Sequence, residues 1–228
     1  QVDTWGVVRQ YATEDGRPEP IWDIKQNLFY YKFADSVTSP ILSARNTPAV
    51  GFFTDAEGFE YFIRMLGAEN LNSKYLIPLK ISEPLESISL DTLKEFPAIV
   101  LYNYRYRSKS TAFKLLEEYV KNGGHVFIET GSNSPEGEST NLPDFFDFNS
   151  TTRKVMESSW DLEIGSGTII DGIETDQFGP PEYEGSGWKF SVAGDLSANA
   201  NVLLKNYAQP ILVEWQMGNG AVLWSGMN

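Results

Sequence analysis

The sequence predicts an α/β fold: an open, mainly parallel sheet with helices on both faces. Two strand-helix-strand units carry that expectation, one between residues 49 and 79 and one from Pro97 to Ser132. In the second, an apolar run, a polar turn, an amphipathic helix, a double glycine and another apolar run follow without a break, which is the order of a parallel crossover. Such a crossover is right-handed in nearly all sheets, so its helix covers one face. A 41% hydrophobic content over 228 residues is enough for a substantial core.

The elements follow in chain order. Residues 1–46 are dense in aromatics, with Trp5, Trp22, Phe29, Tyr30, Tyr31 and Phe33. They read as a β-rich extension packed on the main domain. In it Gly6–Tyr11 and Asn27–Phe33 pair as strands, joined by a turn region at Asp15-Gly16 and Pro18/Pro20. The main domain, 47–228, opens with the short apolar strand Ala49-Val-Gly-Phe-Phe53. Thr54 or Asp55 then caps a helix with Phe59, Phe62, Met65 and Leu66 on its buried stripe, ending at Gly67. Tyr75-Leu-Ile-Pro-Leu79 is the next strand, and Pro78 suggests an edge or a strand end. Leu85 to Phe96 is a short helical or irregular connection.

The central crossover is the clearest part. Ala98-Ile-Val-Leu-Tyr102 has the continuous apolar character of a strand covered on both faces. Ser108 or Ser110 caps a helix whose apolar face is Phe113, Leu116 and Val120, widened by Ala112, Leu115 and Tyr119. Asn122-Gly123-Gly124 ends it, a glycine taking the left-handed position. His125-Val-Phe-Ile-Glu129 follows as a buried strand. An irregular, β-containing insertion is expected at about 132–201. Ser132 to Asn141 reads as a loop, Leu142 to Phe148 as a short helix against the sheet, and Leu162–Ile164, Thr168–Ile170 and Trp188–Val192 as short strands.

The phrase Tyr119-Val-Lys-Asn-Gly-Gly124, the strand His125–Glu129 running into Thr130-Gly131, and the closing run from Pro210 through Gly218-Asn-Gly220 to Trp224 resemble the class I glutamine amidotransferase-like superfamily. The likeness lies with its non-amidotransferase branches and covers about 47–132 and 202–228. It implies a flavodoxin-like, amidotransferase-like sheet. Catalytic members of that superfamily place a cysteine after the strand matching His125–Glu129, and a histidine and glutamate activate it. This chain has no cysteine, and its one histidine, His125, precedes that strand. Without a thiolate and a paired base the amide-attacking chemistry has no nucleophile. An unassisted Thr130 hydroxyl is a poor substitute. No catalytic residue, metal or cofactor is therefore expected, and the chain reads as a pseudoenzyme-like binding module.

Composition narrows the partners. A formal net charge of −13 argues against nucleic acid, since phosphate binding needs clustered Lys and Arg. The basic residues Arg105, Arg107, Lys109 and Lys114 form the one concentration, placed just after a strand where they could meet an anion. The chain opens at Gln1 and stops at Asn228 directly after an apolar strand, suggesting a segment of a longer, membrane-spanning polypeptide. Similar domains occur as outward-facing parts of large bacterial membrane proteins, so the resemblance implies an extracytoplasmic, membrane-associated setting.

Ligands of open α/β sheets bind at the carboxyl ends of the strands. That rim comprises Thr54, Asp55 and Glu57; Asn103, Tyr104 and Arg105; and Glu129, Thr130 and Ser132. Carboxylates, hydroxyls, an amide and an arginine suit a polar small molecule or glycan. The acidic stretch Asp171, Glu174, Asp176, Glu182 and Glu184 matches no calcium-loop spacing and reads as a solvated loop. Gly165-Ser-Gly167 lacks a dinucleotide fingerprint and reads as a turn. Three roles stay open: ligand sensing or protein interaction; a carbohydrate-binding or carbohydrate-processing accessory domain, for which a carboxylate pair such as Asp55 and Glu129 would face each other at ~5–10 Å; or a structural, oligomerising domain.

Overall fold

The structure, a computed structural model, describes residues 11–14, 17–20, 49–54, 58–59, 77–130, 135–156, 160–165, 169–170, 173, 175 and 188–227. An eight-stranded mixed sheet is its frame. The strands are β3 (Ala49–Phe53), β4 (Ile77–Lys80), β5 (Ala98–Tyr102), β6 (His125–Glu129), β8 (Leu162–Ile164), β10 (Asn201–Asn206), β11 (Gln209–Met217) and β12 (Gly220–Ser225), in spatial order β4-β3-β5-β6-β12-β11-β10-β8. From β4 to β12 neighbours run parallel; from β12 to β8 they run antiparallel. Chain order reverses between β3 and β5: the strand after β3 lies to one side of it and β5 to the other. β1 (Tyr11–Glu14) and β2 (Arg17–Pro20) form a separate hairpin, and β7 (Phe148–Met156) with β9 (Trp188–Leu196) a second antiparallel ribbon.

Strands β3, β5 and β6 bury apolar side chains on both faces. On one face Phe53, Ile99, Leu101, Val126 and Ile128 meet the helices α1 (Leu90–Leu93) and α2 (Lys109–Lys121). On the other, Phe52, Phe59 and Val100 pack with Val50, Tyr102 and Phe127. Helix α2 buries Ala112, Phe113, Leu116, Tyr119 and Val120, the face its spacing predicts. The larger of these, Phe113, Leu116 and Val120, each contribute roughly 1.5–3 kcal/mol by burial. Rings Phe113, Phe145, Phe146, Phe148, Trp215 and Trp224 then interlock at centroid separations of 4.9–6.1 Å. Much of the aromatic content is thus consumed as core.

The phrase Tyr119-Val-Lys-Asn-Gly-Gly124 has a mechanical meaning. Gly123, at φ +104°, is the left-handed residue after α2; its N–H donates to the Val120 carbonyl and that of Gly124 to the Tyr119 carbonyl. These two bonds make a complete Schellman stop. The Tyr119 ring lies flat against Gly124, where a Cβ would stand 2.2 Å from Cζ, and its hydroxyl donates to the Phe96 carbonyl at 2.8 Å. Gly220, opening β12, is pressed on the Gly124 carbonyl in turn. Helix end and final hairpin are therefore one interlocked joint.

Several expectations need correction. The N-terminal strands flank Asp15-Gly16 directly, with Glu14 opposite Arg17, and Pro18 and Pro20 stand within β2 instead of in a turn; an Asp-Gly pair favours such a two-residue connection. The partner strand expected at 27–33 lies outside the described residues. Strand β4 is described over Ile77–Lys80, and Tyr75 and Leu76, read as its start, lie outside the described residues. Leu142 to Phe148 holds turns that lead into β7 at Phe148, not a helix, and Phe145, Phe146 and Phe148 are buried in the core. Ile169 and Ile170 form a turn instead of a strand. The insertion contributes β8 to the sheet edge and the β7–β9 ribbon beside it, β7 having escaped sequence reading. Among the described residues no helix is long and apolar enough to cross a membrane.

Candidate functional site

At the carboxyl ends of β3, β4 and β5, where chain order reverses, lies a cleft of ≈ 330 Å³. Three loops build it. Thr54 follows β3; Ile81 to Pro84 follow β4, with the Ile81 N–H still bonded to the Phe52 carbonyl at 2.9 Å; Asn103, Tyr104, Arg105 and Arg107 follow β5. Asn103 ends β5 at φ 47°, a left-handed conformation that asparagine tolerates better than most side chains. Sparsely populated backbone of this kind recurs at ligand sites.

Glu86 holds the wall together. Its Oε1 accepts the backbone N–H of Arg107 at 2.7 Å and of Ser108 at 3.2 Å, and its Oε2 accepts the Tyr104 hydroxyl at 3.1 Å. That hydroxyl also accepts the Leu85 N–H at 2.9 Å. The loops after β4 and β5 are thereby clamped together, and the Glu86 charge is satisfied by the clamp. Tyr104 is anchored further by Phe53 and Tyr106, at ring separations of 6.0 and 5.1 Å. Burial, offset in part by the Leu85 N–H and reinforced by the Glu86 charge, pushes the Tyr104 phenol up from 10.0 to about 12. It is a neutral structural donor across the physiological range. The Thr54 Oγ1 is buried with no hydrogen-bond partner among the described residues.

Of the rim expected from sequence, the cleft brings together Thr54, Asn103, Tyr104 and Arg105. Asp55, Glu57 and Ser132 lie outside the described residues. Glu129 and Thr130 do not line the cleft. Glu129 stands opposite Tyr102 and Ser225 in the sheet and is 5% exposed. Thr130 is 1% exposed: its N–H donates to the Ser225 carbonyl, its carbonyl accepts the Ser191 hydroxyl, and its Oγ1 accepts Trp224 Nε1 at 2.6 Å. That hydroxyl satisfies a buried indole. His125 sits exposed at the amino end of β6, the opposite end of the sheet from the cleft. Sequence reading missed Ser82, Glu83 and Glu86; the loop that carries them has no periodicity, and its one signal is Pro84 before a lone buried Leu85.

No family model matches this chain, and no curated protein matches it either. Solved structures do. The cytoplasmic protein STM1381 from Salmonella typhimurium LT2 aligns with TM-score 0.51 and 13% identity, over 79% of this chain and 88% of that one. The cytoplasmic protein STM3548 from Salmonella typhimurium gives 0.43 and 17%, over 67% and 70%. A β-galactosidase from Bacillus circulans sp. alkalophilus gives 0.45 and 11%, over 79% of this chain and 28% of that one. The first of these is a likeness of fold.

Proposed function

We propose that this chain is a non-catalytic, amidotransferase-like binding module whose cleft at the ends of β3, β4 and β5 takes a small polar ligand. The observation that carries the reading is the position of the cleft. The five parallel strands stand in the order second-first-third-fourth-fifth, the order of flavodoxin-like sheets, and ligands of such sheets bind where that order reverses. The cleft lies at that reversal, and its volume is at the small end of small-molecule sites, ~300–1,000 Å³. The doubly covered, amidotransferase-like sheet is supported by α2 on one face and Phe59 on the other. A wall fixed by Glu86, without a cysteine or an adjacent histidine, suits holding a ligand more than transforming one. In keeping with the resemblance, the module is part of a larger exported or membrane-associated protein and works outside the cytoplasm in sensing or interaction.

The test is thermal unfolding of the 228-residue chain against sugars, sugar acids, nucleotides and calcium. A ligand at ~100 times its Kd adds about 2.7 kcal/mol, or roughly 5–11 °C in Tm for a domain of this size. Ser82→Trp, at an exposed cleft position, fills the site and should abolish any such rise. A rise that survives Ser82→Trp, or a flat panel, refutes the reading.

A further inference from the structure

We infer that the ligand is an acidic monosaccharide: a polyhydroxylated ring carrying one oxyanion, carboxylate or phosphoryl, gripped by Arg105 and Arg107. This rests on the cleft being the binding site. In a chain of net charge −13, lysines supply the cations of the ion pairs Lys109–Glu136, Lys121–Glu117 and Lys205–Glu163. Arg105 and Arg107 enter no ion pair among the described residues, yet both line the cleft. Glu86 meets Arg107 through the backbone N–H, and that carboxylate already accepts three donors in the clamp. Two arginines without an ion pair among the described residues thus line one small cleft. Their planar forks match carboxylate and phosphoryl oxygens in a way ammonium groups do not.

The rest of the lining sets the ligand's body. Ser82 and Asn103 offer a hydroxyl and an amide to sugar hydroxyls, and Glu83 accepts from a hydroxyl. The volume accommodates one ring, not a polymer or a dinucleotide.

Calorimetric titration and thermal unfolding of the full chain with glucuronate, glucose 6-phosphate, inorganic phosphate and glucose test this. Glucuronate or glucose 6-phosphate should bind at least tenfold more tightly than glucose. Arg105→Gln and Arg107→Gln should each weaken that binding about 10- to 100-fold, the range expected for a charge-assisted hydrogen bond. Arg105→Lys and Arg107→Lys, which keep the charge and lose the fork, should fall between. Binding of glucuronate without glucose 6-phosphate assigns the oxyanion as carboxylate, and the converse as phosphoryl; either supports the inference. Glucose binding as tightly as its acids, lost in Ser82→Trp and unmoved by Arg→Gln, overturns the oxyanion assignment and leaves the cleft as the site. A panel in which neither acids nor glucose bind overturns both. Both arginines are exposed, so unliganded variants should melt as the parent does.

Discussion

Gly124→Ala should destabilise this fold far beyond what adding one methyl to an ordinary turn would do. The new Cβ would stand 2.2 Å from Tyr119 Cζ and 2.4 Å from both Cε atoms, against an ordinary contact near 3.5 Å. Tyr119 is 1% exposed and its hydroxyl is tied to the Phe96 carbonyl, so the ring must shift by more than an ångström within a packed core and give up that bond. Overpacking costs about 1–3 kcal/mol and the lost hydrogen bond about 1; removing a glycine from the unfolded chain offsets about 0.4–1. The net is about 1–3.6 kcal/mol, a fall in Tm of roughly 2–14 °C. Urea unfolding followed by the buried Trp215 and Trp224 measures it. In a Tyr119→Leu background the same glycine change should cost under about 0.5 kcal/mol, because the obstructing ring is gone. Equal cost in both backgrounds would refute the interlock.

Three further outcomes follow from the geometry. Glu86→Ala removes three acceptor contacts and should cost about 1–3 kcal/mol by chemical denaturation, loosening amide-exchange protection at residues 103–108 more than in α2. Tyr104 remains protonated in the folded chain up to about pH 12 while the unfolded chain ionises near 10.0, so the unfolded state holds fewer protons between those values. Stability present below pH 10 is therefore lost as pH rises toward 12, and Tyr104→Phe should make that decline shallower, read by denaturation at stepped pH. Thr130→Val strands the buried Trp224 indole N–H and should cost about 1–3 kcal/mol while leaving ligand affinity in the cleft unchanged.

What the sequence disclosed tracks what local physics determines. β5, α2 and β6 were legible because strands covered on both faces are apolar throughout and because α2 carries its own stop at Asn122-Gly123-Gly124. β7 was not, since its buried positions Phe148, Thr151 and Met156 follow no two-residue alternation and its order comes from the long ladder with β9. Thr54, Asn103, Tyr104 and Arg105 were legible from the strand-end rule alone. Glu86 reaches Tyr104 and the backbone of Arg107 and Ser108 from about twenty residues upstream, a contact no periodicity encodes. Glu129 and Thr130 sit at strand ends too, but Ser191 of β9 bonds to both the Gly226 and Thr130 carbonyls and closes that part of the rim. Only the tertiary path of the insertion decides which part of the rim stays open.

The central claim, that the opening at the β3–β5 reversal is a ligand site, is tested most directly by nitrogen-15 amide spectra of the chain titrated with glucuronate and glucose 6-phosphate. The account predicts saturable shifts concentrated at Thr54, residues 81–83 and residues 103–107, and absent in Ser82→Trp. Shifts centred on another surface, or retained in Ser82→Trp, would contradict it.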